Sequence, residues 1–289
     1  MNNTHQIIDV LPQMNITKQT LYNIDNVPVI FSDNQIASNE SNIFANIHWH
    51  HGLEIMFFKE GILENIIDGK IIRENVDDII VINAKALHST RSVSKASNYY
   101  GLVIDKELCL KYGFALSDYY IKPEISDMRI LNLIRDIKKE FEDKNKHFEA
   151  MITSKTLEIL TILFRDYAFK KNKTSNNKNI EIVKQGIRYI RENLSNNITI
   201  DDVAKSAGYS KYYFCRIFKE ITKSTISSYV NISRVNEAHR LISEEGFSVG
   251  QAACECGFDD ISYFTKIFKK YVGVLPSQIK SQSTTLKDQ

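Results

Sequence analysis

Two sets of residues in this 289-residue chain have types and spacing suited to chemistry. The first is His48-x-His50-x3-Glu54, with Gly61 and then His88 further on. On an extended strand residues of equal parity share a face, so His48, His50 and Glu54 point together, and a later strand can bring His88 to them. Three imidazoles and a carboxylate suit a divalent transition metal; without one they are pocket or strand-turn residues hydrogen-bonded to backbone and to each other. Met56 and Phe58 share the parity of Glu54, which gives an apolar lining with convergent polar groups, the usual form of a small-molecule site. The second set is a repeat. Phe214-Cys-Arg-Ile-Phe-Lys219 returns as Phe264-Thr-Lys-Ile-Phe-Lys269, each after a short Ala-containing stretch ending in Gly-aromatic, Gly208-Tyr209 and Gly257-Phe258.

The elements that position the repeat are helices. Thr199 or Asp201 can cap a short helix through Ala207, Gly208 supplies a turn, and Ser210 caps a second helix. On that helix Phe214, Ile217, Phe218 and Ile221 recur at i, i+3, i+4, i+7 and form a core face. The opposite face carries Lys211, Tyr212, Cys215, Arg216 and Lys219. The second copy buries Phe264, Ile267, Phe268 and Tyr271, and leaves out Ile261, Ser262, Thr265, Lys266 and Lys269. This is a duplicated helix-turn-helix, and each outer face suits a groove flanked by phosphates.

The repeat, with Arg234-x3-Ala238-x2-Leu241-Ile242 between its copies and Gly273-Val-Leu-Pro276-Ser277 after them, resembles the AraC/XylS family of transcriptional regulators over roughly the last hundred residues. The resemblance implies base-reading positions at Tyr212, Cys215 and Arg216 in one helix and at Ile261, Ser262, Thr265 and Lys266 in the other. Arg216 can donate bidentately to guanine O6 and N7, Ile261 offers only apolar contact, and Lys211, Lys219 and Lys269 suit phosphate contacts that set register. Lys223-Ser224 stands where a Gly often closes the first such helix.

His48-x-His50-x3-Glu54-x6-Gly61 in turn resembles the first cupin motif, and His88 the histidine of the second, although Asp77 and Ala84 depart from the second motif's pattern. Cupin-like sensor domains of this family often keep the outline without being metalloenzymes. The expected ligand lining is therefore His48, His50, Glu54, Met56, Phe58 and His88. No catalytic residue, cofactor or metal is assigned; His48, His50, Glu54 and His88 are the candidates should a metal be held.

Composition agrees with two packed domains: 43% of residues are hydrophobic and 10% aromatic, enough for two cores. The net charge of +2 would not by itself announce a nucleic-acid binder, so placement matters more than the sum. No run of eighteen apolar residues and no secretory leader pattern is present, and the four cysteines are too few for a secreted disulfide framework, so a cytoplasmic protein is expected. Cys254 and Cys256 should point to different faces of a helix.

In chain order, Ile7–Leu11 and Val27–Phe31 read as an entry arm and edge strands. Period-2 runs follow at Leu53–Lys59, Ile62–Ile67, Lys70–Arg73, Asp78–Ile82 and Tyr99–Asp105, with Asp68-Gly69 as a hairpin turn. Ser126–Phe141 and Met151–Phe169 carry helical stripes that predict an αα-hairpin, available for dimerisation or for burial against the sheet. KKNKTSNNKN, residues 170–179, reads as a linker, and Ile180–Asn193 and Ile226–Ser243 as further helices. The expected fold is α+β: a cupin-like β-barrel over 1–125, a hairpin over 126–170, a linker over 171–179 and an all-α double helix-turn-helix over 180–289. The expected function is sequence-specific regulation of transcription, more often activation through RNA polymerase, by a homodimer that answers to an unidentified small molecule and binds promoter DNA.

Overall fold

The computed structural model describes residues 16–25, 27–37, 47–74, 76–171 and 178–279. The Ile7–Leu11 patch and most of the expected linker, residues 172–177, lie outside them.

The N-terminal half holds two main sheets. Strands β1 (Ile16–Tyr22), β2 (Val29–Ala37), β3 (Leu53–Glu60), β4 (Leu63–Ile67), β5 (Lys70–Glu74), β6 (Ile79–Ile82), β7 (His88–Ser92) and β8 (Ala96–Ile104) are followed by helix α1 (Lys106–Lys111), β9 (Tyr119–Ile121) and β10 (Glu124–Ile125). The larger sheet runs β1-β2-β8-β3-β6-β10 and the smaller β5-β4-β7. Helices α2 (Met128–Asp143) and α3 (Phe148–Ile162) then form the expected hairpin, and after a π turn β11 (Ala168–Lys170) pairs with β9.

β3 explains the layering. Leu53, Ile55 and Phe57 join one core with Ile130, Ile134, Ile137 and Phe141 of α2 and Ile152, Ile159 and Leu160 of α3. On the opposite face Met56 and Phe58 pack with Leu63 and Ile67 of the smaller sheet. A sheet covered on both faces needs an apolar run rather than strict alternation, and LEIMFFKE is one. The Asp68-Gly69 turn has φ of 49° and 85°, the doubly positive geometry of a type I′ hairpin.

Two expectations are corrected. The sheets do not close into a barrel: β5 ends the smaller sheet as an edge whose Lys70 and Arg73 face solvent, a pattern that blunts further pairing. β2 is not an edge strand, since it lies between β1 and β8. Of the two uses expected for the hairpin's apolar stripes, burial against the larger sheet is the one the fold displays.

The C-terminal half is helical: α4 (Lys178–Glu192), α5 (Ile200–Ser206), α6 (Lys211–Thr222), α7 (Ile226–Ser243), α8 (Val249–Glu255) and α9 (Ile261–Val272). Thr199 caps α5 in a capping box with Asp202, and Ser210 caps α6. Helix α7 contributes Tyr229 to a first core with Phe214 and Phe218, and Val235, Ala238 and Leu241 to a second with Phe264 and Phe268. One rigid helix thus joins the two units. Gly186 of α4 has no substitute here, because a Cβ would stand 2.3 Å from Phe214 Cζ. Cys254 is exposed and Cys256 buried, on different faces as expected. Among the described residues no helix is long and apolar enough to cross a membrane.

Candidate functional site

Helices α6 and α9 are amphipathic in the same way. Phe214, Ile217, Phe218 and Ile221 are buried in α6, whereas Tyr212, Arg216 and Lys219 are exposed and Cys215 is half-buried. In α9 Phe264, Ile267, Phe268 and Tyr271 are buried; Ile261, Ser262, Lys266 and Lys269 are exposed, and Thr265 is half-buried with its hydroxyl donating to the Ile261 carbonyl. Tyr212, at 85% exposure, and Ile261, at 54%, are large apolar surfaces with no intramolecular reason to be outside. The Arg216 guanidinium lies 5.5 Å from the Tyr213 ring, and Tyr213 donates to Asn179. Lys211, by contrast, is tied to Asp201 at 2.8 Å. The helix starts are fixed by side chains: Asp260 accepts from the backbone N–H of Ser262 and Tyr263.

The histidine set converges as parity requires. His48 sits on the extended segment before β3 and bridges β7: its N–H donates to the His88 carbonyl at 2.9 Å and its carbonyl accepts from His88 N–H at 2.8 Å. One ring nitrogen from each of His48, His50 and His88 lies within 4.8 Å of the others, and all three residues are buried. His50 Nδ1 lies 3.1 Å from the Gly52 carbonyl and His88 Nδ1 2.9 Å from that of Ala86. A carbonyl oxygen only accepts, so both Nδ1 atoms carry protons and each Nε2 is turned to Glu54. His50 Nε2 lies 3.0 Å from Glu54 Oε2; His88 Nε2 stands 3.2 Å from the same oxygen, but off the line a hydrogen bond needs. Burial alone would raise the Glu54 carboxyl, yet the adjacent imidazoles of His50 and His88 hold it well below the usual carboxylate range. Met56 and Phe58, expected in the pocket, instead fill the core between the sheets, with Thr90 Oγ1 donating to the Met56 sulfur. A cavity of about 250 Å³ lies elsewhere, beside Glu74, Lys122 and Glu124.

Sequence reasoning missed what lies behind the histidines. Residues of the other parity face the helical domain: Ile47 and Leu87 are buried in the core of the first helix-turn-helix unit, and Trp49 packs against it. The Ile47 carbonyl accepts from Arg191 and from the Tyr229 hydroxyl, each at 3.4 Å. Lys184, Arg188 and Arg191 of α4 lie 5.7, 5.7 and 5.5 Å from the Trp49 ring centroid. The only available signal was Trp49 itself, a lone tryptophan between two inward histidines.

A family model described as a helix-turn-helix domain matches residues 203–282. The chain is 30% identical over 107 residues to the HTH-type transcriptional activator AarP of Providencia stuartii, covering 37% of this chain and 79% of AarP. It is 22% identical over 267 residues to the melibiose operon regulatory protein of Escherichia coli K12, covering 86% of this chain and 88% of that one. Among solved structures, ToxT from Vibrio cholerae aligns with a TM-score of 0.49 at 16% identity, over 86% of this chain and 97% of ToxT. The duplicated motif and the AarP relationship establish that the chain belongs to the AraC/XylS family of DNA-binding transcriptional regulators.

Proposed function

We propose that the chain is a one-component regulator in which α6 and α9 enter successive major grooves on one face of promoter DNA. The observation that carries this reading is the pair of outer faces described above, apolar and basic residues held out while the reverse faces fill two cores tied to one rigid helix. Tyr212, Cys215 and Arg216, with Ile261, Ser262, Thr265 and Lys266, read bases; Lys219 and Lys269 hold phosphates. Residues 180–289 form the DNA-binding domain, 126–170 the hairpin, and 1–125 the sensing domain, whose effector site centres on His48, His50, Glu54 and His88. Met56 and Phe58 support that site from the core rather than line it.

The regulator acts in the cytoplasm as a homodimer and, like AarP by its name, activates, through RNA polymerase. No catalytic role belongs to this reading, since the histidines back a docking surface. Fluorescence anisotropy of the full chain on its own upstream DNA over a salt series tests it: preference over random sequence with a steep salt slope is expected, and equal affinity for both overturns it.

A further inference from the structure

We propose that the cavity of about 250 Å³ between β5 and the paired strands β6 and β10 binds a small organic cation through a primary ammonium group, with Glu74 as its buried counter-ion and Asp78 and Glu124 at its sides. The cavity shares no residue with the histidine cluster, so this site is additional to the effector site proposed above.

The cavity exists because the two sheets do not close. β5 ends the smaller sheet and β10 ends the larger one, and residues of both line it, with an apolar wall from β6. Glu74 of β5 is only 1% exposed, and its two carboxyl oxygens accept from the Asn65 amide at 2.9 and 2.7 Å. An amide is neutral, so it satisfies the oxygens without offsetting a charge. Burial, and then the charges of Asp78 and Glu124, push the Glu74 carboxyl up to about 8, and the Asn65 bonds offset only part of this. The neighbouring Arg73 is committed to Glu64 at 2.7 Å, and Lys122 stands exposed on the rim. Glu74 is thus a buried carboxyl facing a cavity whose nearest charges are two more acids, and it keeps its proton because an uncompensated buried charge is costly.

A cation in the cavity reverses that balance. An ammonium group supplies the charge that Glu74 lacks, and each oxygen keeps a lone pair beyond the one Asn65 uses, so charge-assisted N–H···O bonds form as the Glu74 proton leaves to solvent. A single metal ion does not fit. Among the described residues, the ligating groups whose donor atoms gather within 4.8 Å of one another in a set of three are the histidines, so Glu74, Asp78 and Glu124 stand too far apart to share one ion. The ligand therefore has length. Ile79, Ile80 and Ile125 are buried in the cavity wall and suit a methylene chain. The volume lies below the roughly 300 Å³ at which sites for drug-sized molecules begin, which limits the ligand to a compact alkylamine or diamine.

Isothermal titration of the full-length chain with butylamine, 1,4-diaminobutane and 1,5-diaminopentane tests this, with 1,4-butanediol as the neutral control and succinate as the anionic one. The proposal expects at least one amine to saturate at one molecule per chain below about 10 mM, and neither control to bind. Affinity for that amine should rise about tenfold per pH unit between roughly pH 6 and 8, as Glu74 gives up its proton, and then level off. Glu124→Gln, a change at an exposed position, should bind about fivefold more weakly. Glu74→Gln, checked for folding by circular dichroism, should lose binding altogether. Failure of all three amines to saturate, equal uptake of the diol, an affinity flat with pH, or wild-type binding by Glu74→Gln each overturns the proposal. None of these readouts involves DNA, so the regulator reading stands or falls separately.

Discussion

Trp49 and Arg191 face each other across the two halves of the molecule, the guanidinium carbon 5.5 Å from the ring centroid while the same arginine donates to the Ile47 carbonyl. The N-terminal half therefore grips α4, the first helix of the C-terminal half, one residue from the buried histidines.

Trp49→Ala removes that grip. The aromatic surface and the cation contacts it makes are together expected to stabilise docking by about 2 kcal/mol. Hydrogen exchange should quicken in α4 and in Tyr229, while α9 exchanges as before. Unchanged protection in α4 would show that Ile47 and Leu87 hold the halves alone.

Arg216→Ala and Lys219→Ala should fail differently. Loss of a bidentate contact to guanine costs about ten- to a hundredfold in preference for the cognate sequence. Loss of a phosphate contact weakens all sequences alike and lowers the salt slope by about one. Anisotropy on cognate and random duplexes at several salt concentrations separates the two; identical profiles would contradict the assignment of roles.

Glu74 carries a pH dependence. Burial, aided by Asp78 and Glu124, pushes its carboxyl up to about 8 from an ordinary 4.5, against the Asn65 amide that donates to both oxygens. The folded chain holds the proton that the unfolded chain gives up. The stability from this group is thus complete below pH 4.5 and is lost as pH rises toward 8, by about 1.4 kcal/mol per unit. Glu74→Gln should gain on the wild type steadily across that window in urea titrations, and a constant difference between them would contradict this.

Gly186→Ala and Lys223→Gly test the helix packing in opposite directions. An alanine methyl at 186 meets Phe214 Cζ at 2.3 Å and should cost about 2 kcal/mol or more. Lys223 ends α6 in the left-handed region at φ 55°, where glycine is free of strain and should stabilise by about 0.5 to 1 kcal/mol. Thermal unfolding of the full chain reads both, as a lowered and a raised midpoint.

The helical half was the more legible in sequence. Ile226–Ser243 is the helix its pattern predicts, because caps and a 3.6-residue period are local signals. Lys223 does the work expected of a glycine, a left-handed C-cap. The sheets were legible strand by strand but not in their closure: β7, HSTRS, is buried at four of five positions yet reads as polar. Its side chains are satisfied by partners far along the chain, such as Asn65 for Thr90. The convergence of His48, His50 and His88 followed from parity. The docking surface behind them did not, since Ile47 and Leu87 look like any strand residues until the helical domain is laid on them.

Methylation and hydroxyl-radical footprinting of the full chain on its own promoter tests most directly whether both helices read DNA. Each protomer should protect two major-groove patches on one face, about one turn or roughly 34 Å apart, with Arg216→Ala erasing one patch and Lys266→Ala weakening the other. Protection of a single groove, or of both patches in the Arg216→Ala chain, would contradict a reading shared between α6 and α9.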